Sequence, residues 1–340
     1  MFFKHQNPIE VKYRKLGKTN IEVSEISLGT WQVGGKWGEP FDWASADKIL
    51  NEAVEGGVNF IDTADVYGNE VGESEKAVGK FVKSRSEKIF VASKCGRQLS
   101  PHNNEAYKPA VLRKFVEDSL SRMGLETLDL IQLHCPPTEV FYRPEVFELF
   151  DRLKEEGKIQ NLGISVEKIE EALKGIEFEN VNTVQIIFNM FRQRPSELFF
   201  EQAKKKDIGV IVRVPLASGL LTGKFSANSS FGEGDHRQFN RNGEVFDKGE
   251  TFAGINYDLG LKAVEELKAV FPNQSNLAQV ALKWILGFDA VSCIIPGASR
   301  MEQVTSNLAA SEIPAISSEQ NKAVNRIYEK YIKKSVHQLW

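Results

Sequence analysis

The chain has 340 residues and a mass of 38.2 kDa, with 41% hydrophobic and 26% charged side chains, ordinary values for a globular protein. Its formal net charge of −3 and pI near 6.1 exclude the basic surface that a nucleic acid or an anionic membrane requires. Three cysteines, Cys95, Cys135 and Cys293, have no C-x-x-C spacing, so they read as reduced intracellular thiols and exclude a disulfide framework.

Residues 1–10, MFFKHQNPIE, lack the apolar core of a signal peptide. No apolar run approaches the roughly eighteen residues of a membrane span. The expectation is a soluble cytoplasmic protein, in which the N-x-S sequons at Asn228 and Asn273 are chance matches.

Residues 12–23, KYRKLGKTNIEV, read as a small hairpin. Eight short runs follow that read as strands: 25–31, 59–64, 89–95, 128–134, 160–166, 183–189, 210–216 and 292–298. Several are almost continuously apolar, as strands covered on both faces must be. Helical patterns lie between them. SADKILNEAVEGG spaces Ile49, Leu50, Ala53 and Val54 along one face. The stretch from Lys108 to Glu126 does the same with Leu112, Phe115, Val116, Leu120 and Met123, between Pro109 and Gly124. RPEVFELFDRLKEEGK repeats the design with Val146, Leu149, Phe150 and Leu153, and Gly157 as its stop.

Alternating strands and helices predict βαβ units with parallel pairing. No G-x-G-x-x-G follows the first strand, so a doubly wound dinucleotide fold lacks its phosphate loop. The prediction is an α/β protein: a (β/α)8 TIM barrel spanning 1–340 as one domain, with the hairpin capping its bottom. Residues 217–255, rich in Gly, Ser and Asn, form a long loop after strand seven, and loops of that length are usually functional or disordered. SEQNKAVNRIYEKYIKKSVHQLW reads as a closing helix with a mixed tail.

Barrel chemistry sits at the C-terminal strand ends. Those ends carry Trp31; Asp62, Asp65 and Tyr67; Lys94; His134; Ser165; Gln185 and Asn189; Arg213; and Pro296-Gly297. Alone, Lys94 reads as a solvated terminus and His134 as a satisfied rim histidine. Together, three neighbouring strands end in Asp, Lys and His with a tyrosine close by. With five histidines and a single one on a strand end, a three-histidine zinc site cannot be assembled.

GVNFIDTADVYG, GESEKAVGK, VASKCG, LDLIQLHCPP, IQNLGIS and IIPGAS occur in this order and resemble the motifs of the aldo-keto reductase superfamily. The resemblance implies a barrel that binds NADPH/NADP+ without a Rossmann motif and reduces an aldehyde or ketone. It implies Tyr67 as general acid, flanked by Asp62, Lys94 and His134. A free phenol has a pKa of about 10. An ammonium about 4 Å away, at an effective dielectric near 20, is expected to favour the phenolate by about 4 kcal/mol. Asp62 would offset part of that by pairing with Lys94.

By the same resemblance, Ser165 and Gln185 hold the nicotinamide carboxamide. Val166 stands where the family often has asparagine, a donor that Asn189 could supply. PLASGLLTGK is similar to the segment beneath the pyrophosphate, with Leu216, Ser218 and Lys224 as contacts, and the loop bearing Arg237 would fold over the cofactor. PGASRMEQVTSN is similar to the stretch around the adenosine phosphate, giving Gly297, Ser299, Arg300, Gln303 and Asn307, beside a helix N-terminus near Arg300. Ser306 replaces a glutamate common there. Arg213 occupies the position of an aromatic ring that stacks on the nicotinamide, and a planar guanidinium can stack in its place. Substrate, a small-molecule carbonyl compound, would sit above Tyr67, bordered by Trp31 and Trp37. Two other readings stay open: a regulatory NADP(H)-binding subunit with little turnover, and a Schiff-base aldolase acting through Lys94.

Overall fold

A computed structural model describes residues 10–35 and 39–340; Trp37 lies outside them. Two short strands, β1 (Tyr13–Lys15) and β2 (Glu22–Ser24), pair antiparallel as the expected hairpin. The barrel strands follow: β3 (Leu28–Gly29), β4 (Phe60–Asp62), β5 (Phe90–Cys95), β6 (Leu130–His134), β7 (Leu162–Ser165), β8 (Val181–Ile187), β9 (Gly209–Arg213) and β10 (Val291–Ile294). They pair in parallel in chain order. The ring closes where Ser27 N donates to Ile294 O at 2.9 Å and Ile294 N donates to Glu25 O at 2.9 Å. All eight predicted strands are present; five are shortened within their predicted bounds, while β8, β9 and β10 begin one or two residues earlier and end sooner than predicted.

Helices α1 (Trp43–Glu55), α2 (Glu73–Lys83), α3 (Pro109–Met123), α4 (Pro144–Glu155), α5 (Ile169–Gly175) and α6 (Phe199–Lys205) cover the first six barrel strands in turn. The predicted apolar faces are the buried ones: Ile49, Leu50, Ala53 and Val54 on α1, and Val146, Leu149, Phe150 and Leu153 on α4. Gly124 ends α3 at φ 62, a left-handed cap that glycine adopts without strain. The segment between β9 and β10 holds α7 (His236–Phe239), α8 (Tyr257–Val270) and α9 (Leu277–Leu286). After β10 come α10 (Met301–Leu308), α11 (Ser318–Tyr331) and α12 (Lys333–Val336).

Strand side chains alternate between two environments. Ile61, Val91, Ile131, Leu133, Val210 and Val212 join the apolar layer shared with the helices. Phe60, Ala92, Leu130, Ile211 and Cys293 point inward and pack with Leu16, Ile21 and Val23 of the hairpin, which plugs the lower mouth. Period-two geometry then fixes the layer above: Asp62, Lys94, Gln132, His134 and Arg213 lie on the same inward faces. Asp62, Lys94, Gln132 and Arg213 each follow an apolar inward residue by two positions, and His134 follows Gln132 by two more, which puts the polar residues at the upper end. Cys95, Cys135 and Cys293 are all buried free thiols.

The long loop after strand seven is built from short helical turns at Ala217–Thr222, Lys248–Glu250 and Phe252–Gly254, together with α7. Buried Asn240 ties it together. Its Oδ1 accepts from Val245 N at 2.8 Å and Phe246 N at 2.9 Å, and its Nδ2 donates to Thr251 Oγ1 at 3.2 Å.

Candidate active site

Lys94 comes from the inner face of β5 and is completely buried. A buried ammonium must be compensated. Its Nζ is ion-paired with Asp62 and donates to Thr63 O at 2.8 Å and to the Tyr67 hydroxyl at 3.2 Å. The other Asp62 oxygen accepts from Gln132 Nε2 at 2.9 Å and from Gln185 Nε2 at 2.8 Å. Tyr67 reaches the site from the loop after β4, where its N–H closes a turn onto Ala64 O at 3.2 Å. The His134 ring stands 6.1 Å from the Tyr67 ring, edge to face, and its Nδ1 is buried without a protein partner. Strands β4, β5, β6 and β8 thus assemble one polar cluster from residues up to 123 positions apart.

Burial pushes the Tyr67 phenol above its ordinary value of 10.0, and nearby Lys94 pulls it back only in part. This corrects the expectation that the ammonium would dominate: desolvation of a buried phenolate is the larger effect. Burial opposes the Lys94 charge, yet Asp62 and Tyr67 hold its pKa above the ordinary 10.5. Burial, with Lys94, Arg97 and Arg213 nearby, drives His134 well below 6.5, so its imidazole is neutral at physiological pH. The cluster therefore offers a protonated phenol and a neutral imidazole side by side.

Above it opens a cavity of about 400 Å³ lined by Trp31, Asp62, Tyr67, His134, Gln185 and Arg213. Trp31 meets the Tyr67 ring edge-on at 5.4 Å, and His236 and Phe246 from the long loop each meet Trp31 at 6.0 Å. Those two loop residues escape a reading of the sequence, whose signal there is loop length alone. Glu250 escapes it as well. Its Oε1 lies 3.2 Å from Arg213 Nη1, and Arg213 Nη2 donates to Val166 O at 3.1 Å. The guanidinium is thereby anchored and its charge countered, a pairing that the sequence reading of Arg213 as a stacking group did not include.

Glu250, Glu167 and Cys135 bring possible metal-donor atoms within 4.8 Å of one another. Arg213 and Arg97, the latter 3.4 Å from Glu167, already stand against these carboxylates. Burial, then Glu250, raises the Glu167 carboxyl to about 7.

Of the residues expected at a cofactor, Leu216, Ser218, Lys224, Arg237, Gly297, Ser299, Arg300 and Gln303 line the same cavity. Gln303 Oε1 accepts from Ser299 N at 2.7 Å, tying the loop to the first turn of α10. Arg237 pairs with Asp235 at 2.5 Å and lies 4.7 Å over the Phe231 ring. Ser165 and Asn307 are buried away from the cavity wall, with Ser165 Oγ 3.8 Å from Cys135 Sγ. Gln185 already donates to Asp62, and Asn189 is engaged in its own turn, donating to Val214 O at 3.0 Å and accepting from Phe191 N at 2.8 Å.

The Aldo/keto reductase family model matches residues 25–329. The chain is 30% identical over 317 residues to an uncharacterized oxidoreductase of Bacillus subtilis, covering 92% of this chain and 95% of that one. It is 30% identical over 321 residues to the NADH-specific methylglyoxal reductase of Escherichia coli, with 88% and 93% covered. A solved aldo-keto reductase from Bacillus halodurans is similar with a TM-score of 0.74 and 28% identity, covering 94% of this chain and 96% of its own.

Proposed function

The chain belongs to the aldo/keto reductase family, oxidoreductases that act on carbonyls with a nicotinamide cofactor, and within it we propose an NADPH-dependent reductase whose general acid is Tyr67. The observation that carries the reading is the Tyr67 hydroxyl, 3.2 Å from a fully buried ammonium at the floor of an aromatic-edged cavity. The reading takes residues 1–340 as one barrel unit.

NADPH would supply the hydride. Every other task falls to the chain. A substrate carbonyl oxygen seated over Tyr67 gains a proton from the phenol as negative charge develops on it. Lys94 stabilises the phenolate left behind, and Asp62 fixes the direction of Lys94. Neutral His134 donates a second hydrogen bond to the same oxygen, and donors placed in advance cost no reorganisation when the charge forms. Trp31, His236 and Phe246 keep water away from the exchange.

The cofactor half of the proposal rests on residues that fit it. Ser218 to Lys224 and Gly297 to Gln303 border one groove that reaches Tyr67. Arg300 precedes α10, where helix N–H groups and its guanidinium suit a 2′-phosphate. An imine route through Lys94 fits less well, because a raised pKa and three engaged contacts leave the amine protonated and without a free lone pair.

The test is a panel of aldehydes and ketones mixed with NADPH or NADH, followed by loss of reduced-nicotinamide absorbance. Turnover of some carbonyls, faster with NADPH, is expected. Tight cofactor binding with no turnover of any carbonyl would favour a regulatory subunit instead.

A further inference from the structure

The turn at 250–254 is strained. Phe252 and Ala253 have φ of 52 and 58, left-handed values unfavourable for residues with a Cβ, and Gly254 follows at 80. The facing turn is similar, with Ala217 at 47 and Ser218 at 55. The two are locked together: Ser218 Oγ donates to Glu250 O at 2.9 Å and accepts from Phe252 N at 3.1 Å. Strained backbone persists only where its surroundings hold it. Besides Ser218 and Asn240, the surroundings include one side chain distant in sequence.

Trp340 is 5% exposed. Its indole Nε1 donates to Asp247 Oδ2 at 3.1 Å, and its ring lies 4.0 Å from the Arg192 guanidinium carbon. A Cβ built on Gly249 would stand 2.9 Å from the indole, and one on Gly254 would stand 2.5 Å from it. The indole therefore fills a cradle that exists because both positions are glycine. Between them sits Glu250, the partner of Arg213.

We propose that Trp340 is a positioning residue for the nicotinamide end of the site, holding the 247–254 turn so that Glu250 stays on Arg213. The assignment rests on the reductase reading for its consequence, though not for its geometry. Displacing the indole releases the turn, separates Glu250 from Arg213 and leaves an uncompensated guanidinium where the positively charged nicotinamide ring of NADP+ must bind. Reduced nicotinamide is neutral and feels this less.

The experiment compares wild type, Trp340→Ala, Trp340→Phe, Glu250→Gln and the Trp340→Ala/Glu250→Gln double variant. Amide hydrogen exchange of the cofactor-free protein should accelerate at 247–254 in Trp340→Ala. Calorimetric titration should show NADP+ binding weakened on the order of fivefold, the low end of coupling between linked sites. Trp340→Phe, which keeps a smaller aromatic ring and loses the N–H, should fall between, and it carries the test together with Asp247→Asn if the alanine variant does not fold. The deciding result is the double variant, which should bind NADP+ no more weakly than Glu250→Gln alone. Additive losses, or unchanged exchange at the turn, would overturn the proposal. Wild type that binds no NADP+ would instead sink the reductase reading, with exchange at 247–254 still judging the turn.

Discussion

Tyr67 has to give up a proton from a place where its anion is poorly solvated. Burial raises its pKa while Lys94, 3.2 Å from the hydroxyl, lowers the cost of the charged form once it appears. An acid must be protonated to act, so the rate of carbonyl reduction should hold flat through neutral pH. It should decline only above 10.0, the ordinary phenol value. Tyr67→Phe should bind NADPH nearly as wild type while kcat drops at least about 100-fold, the low end for general acid catalysis. Unchanged turnover in that variant would remove Tyr67 from the chemistry. The residues were legible because Asp62, Lys94 and His134 close three neighbouring strands. The balance of forces among them was not. How deeply a phenol is enclosed depends on chain segments far away, and here enclosure outweighs the ammonium.

At the scale of elements, the loop leaving β4 and the helix following β10 carry most of the consequence. Asp65, in the first, accepts from Gln98 Nε2 at 2.5 Å and leaves its other oxygen buried without a partner. Burial, then the Glu75 carboxylate, raises it from 3.8 to about 7. The folded state therefore holds this proton more tightly than the unfolded chain does. Its contribution to stability is fully present below 3.8 and is lost as pH rises through about 7. Asp65→Asn removes the titration, so its melting temperature should fall less than that of wild type between acid and mildly alkaline buffer. Parallel melting curves would show Asp65 to be ionised throughout. At the start of α10, Arg300→Ala should weaken NADPH through Kd with little change for NADH, and equal affinity of wild type for both would place the phosphate elsewhere. Helices and strands such as α4 and β6 were visible in advance because their apolar spacing is local. The Glu250–Arg213 pair was not, since it joins a strand end to an irregular loop with no periodicity to announce it.

The whole molecule separates stability from chemistry along the barrel axis. Alternate inward positions on each strand supply an apolar layer below and a polar layer above, and the hairpin closes the apolar end. Gly17 sits where the plug meets the barrel: its φ is +53, and a Cβ there would stand 2.1 Å from Gly209 N. Gly17→Ala should thus destabilise by roughly 1–3 kcal/mol, the usual range for overpacking, and chemical denaturation would measure it. KM for either substrate should not move, because the lesion lies at the opposite mouth. Equal damage to KM would mean that the two ends are coupled. The same layering puts the three free thiols in three different compartments. Cys293 faces the plug from β10, Cys95 lies between barrel and helices, and Cys135 is buried within 3.6 Å of Arg213 at the upper mouth. A thiol reagent can reach none of them in the closed molecule. Labelling at successive times of partial denaturation, read by peptide mass, turns the three sulfurs into a clock that reports which end of the barrel opens first.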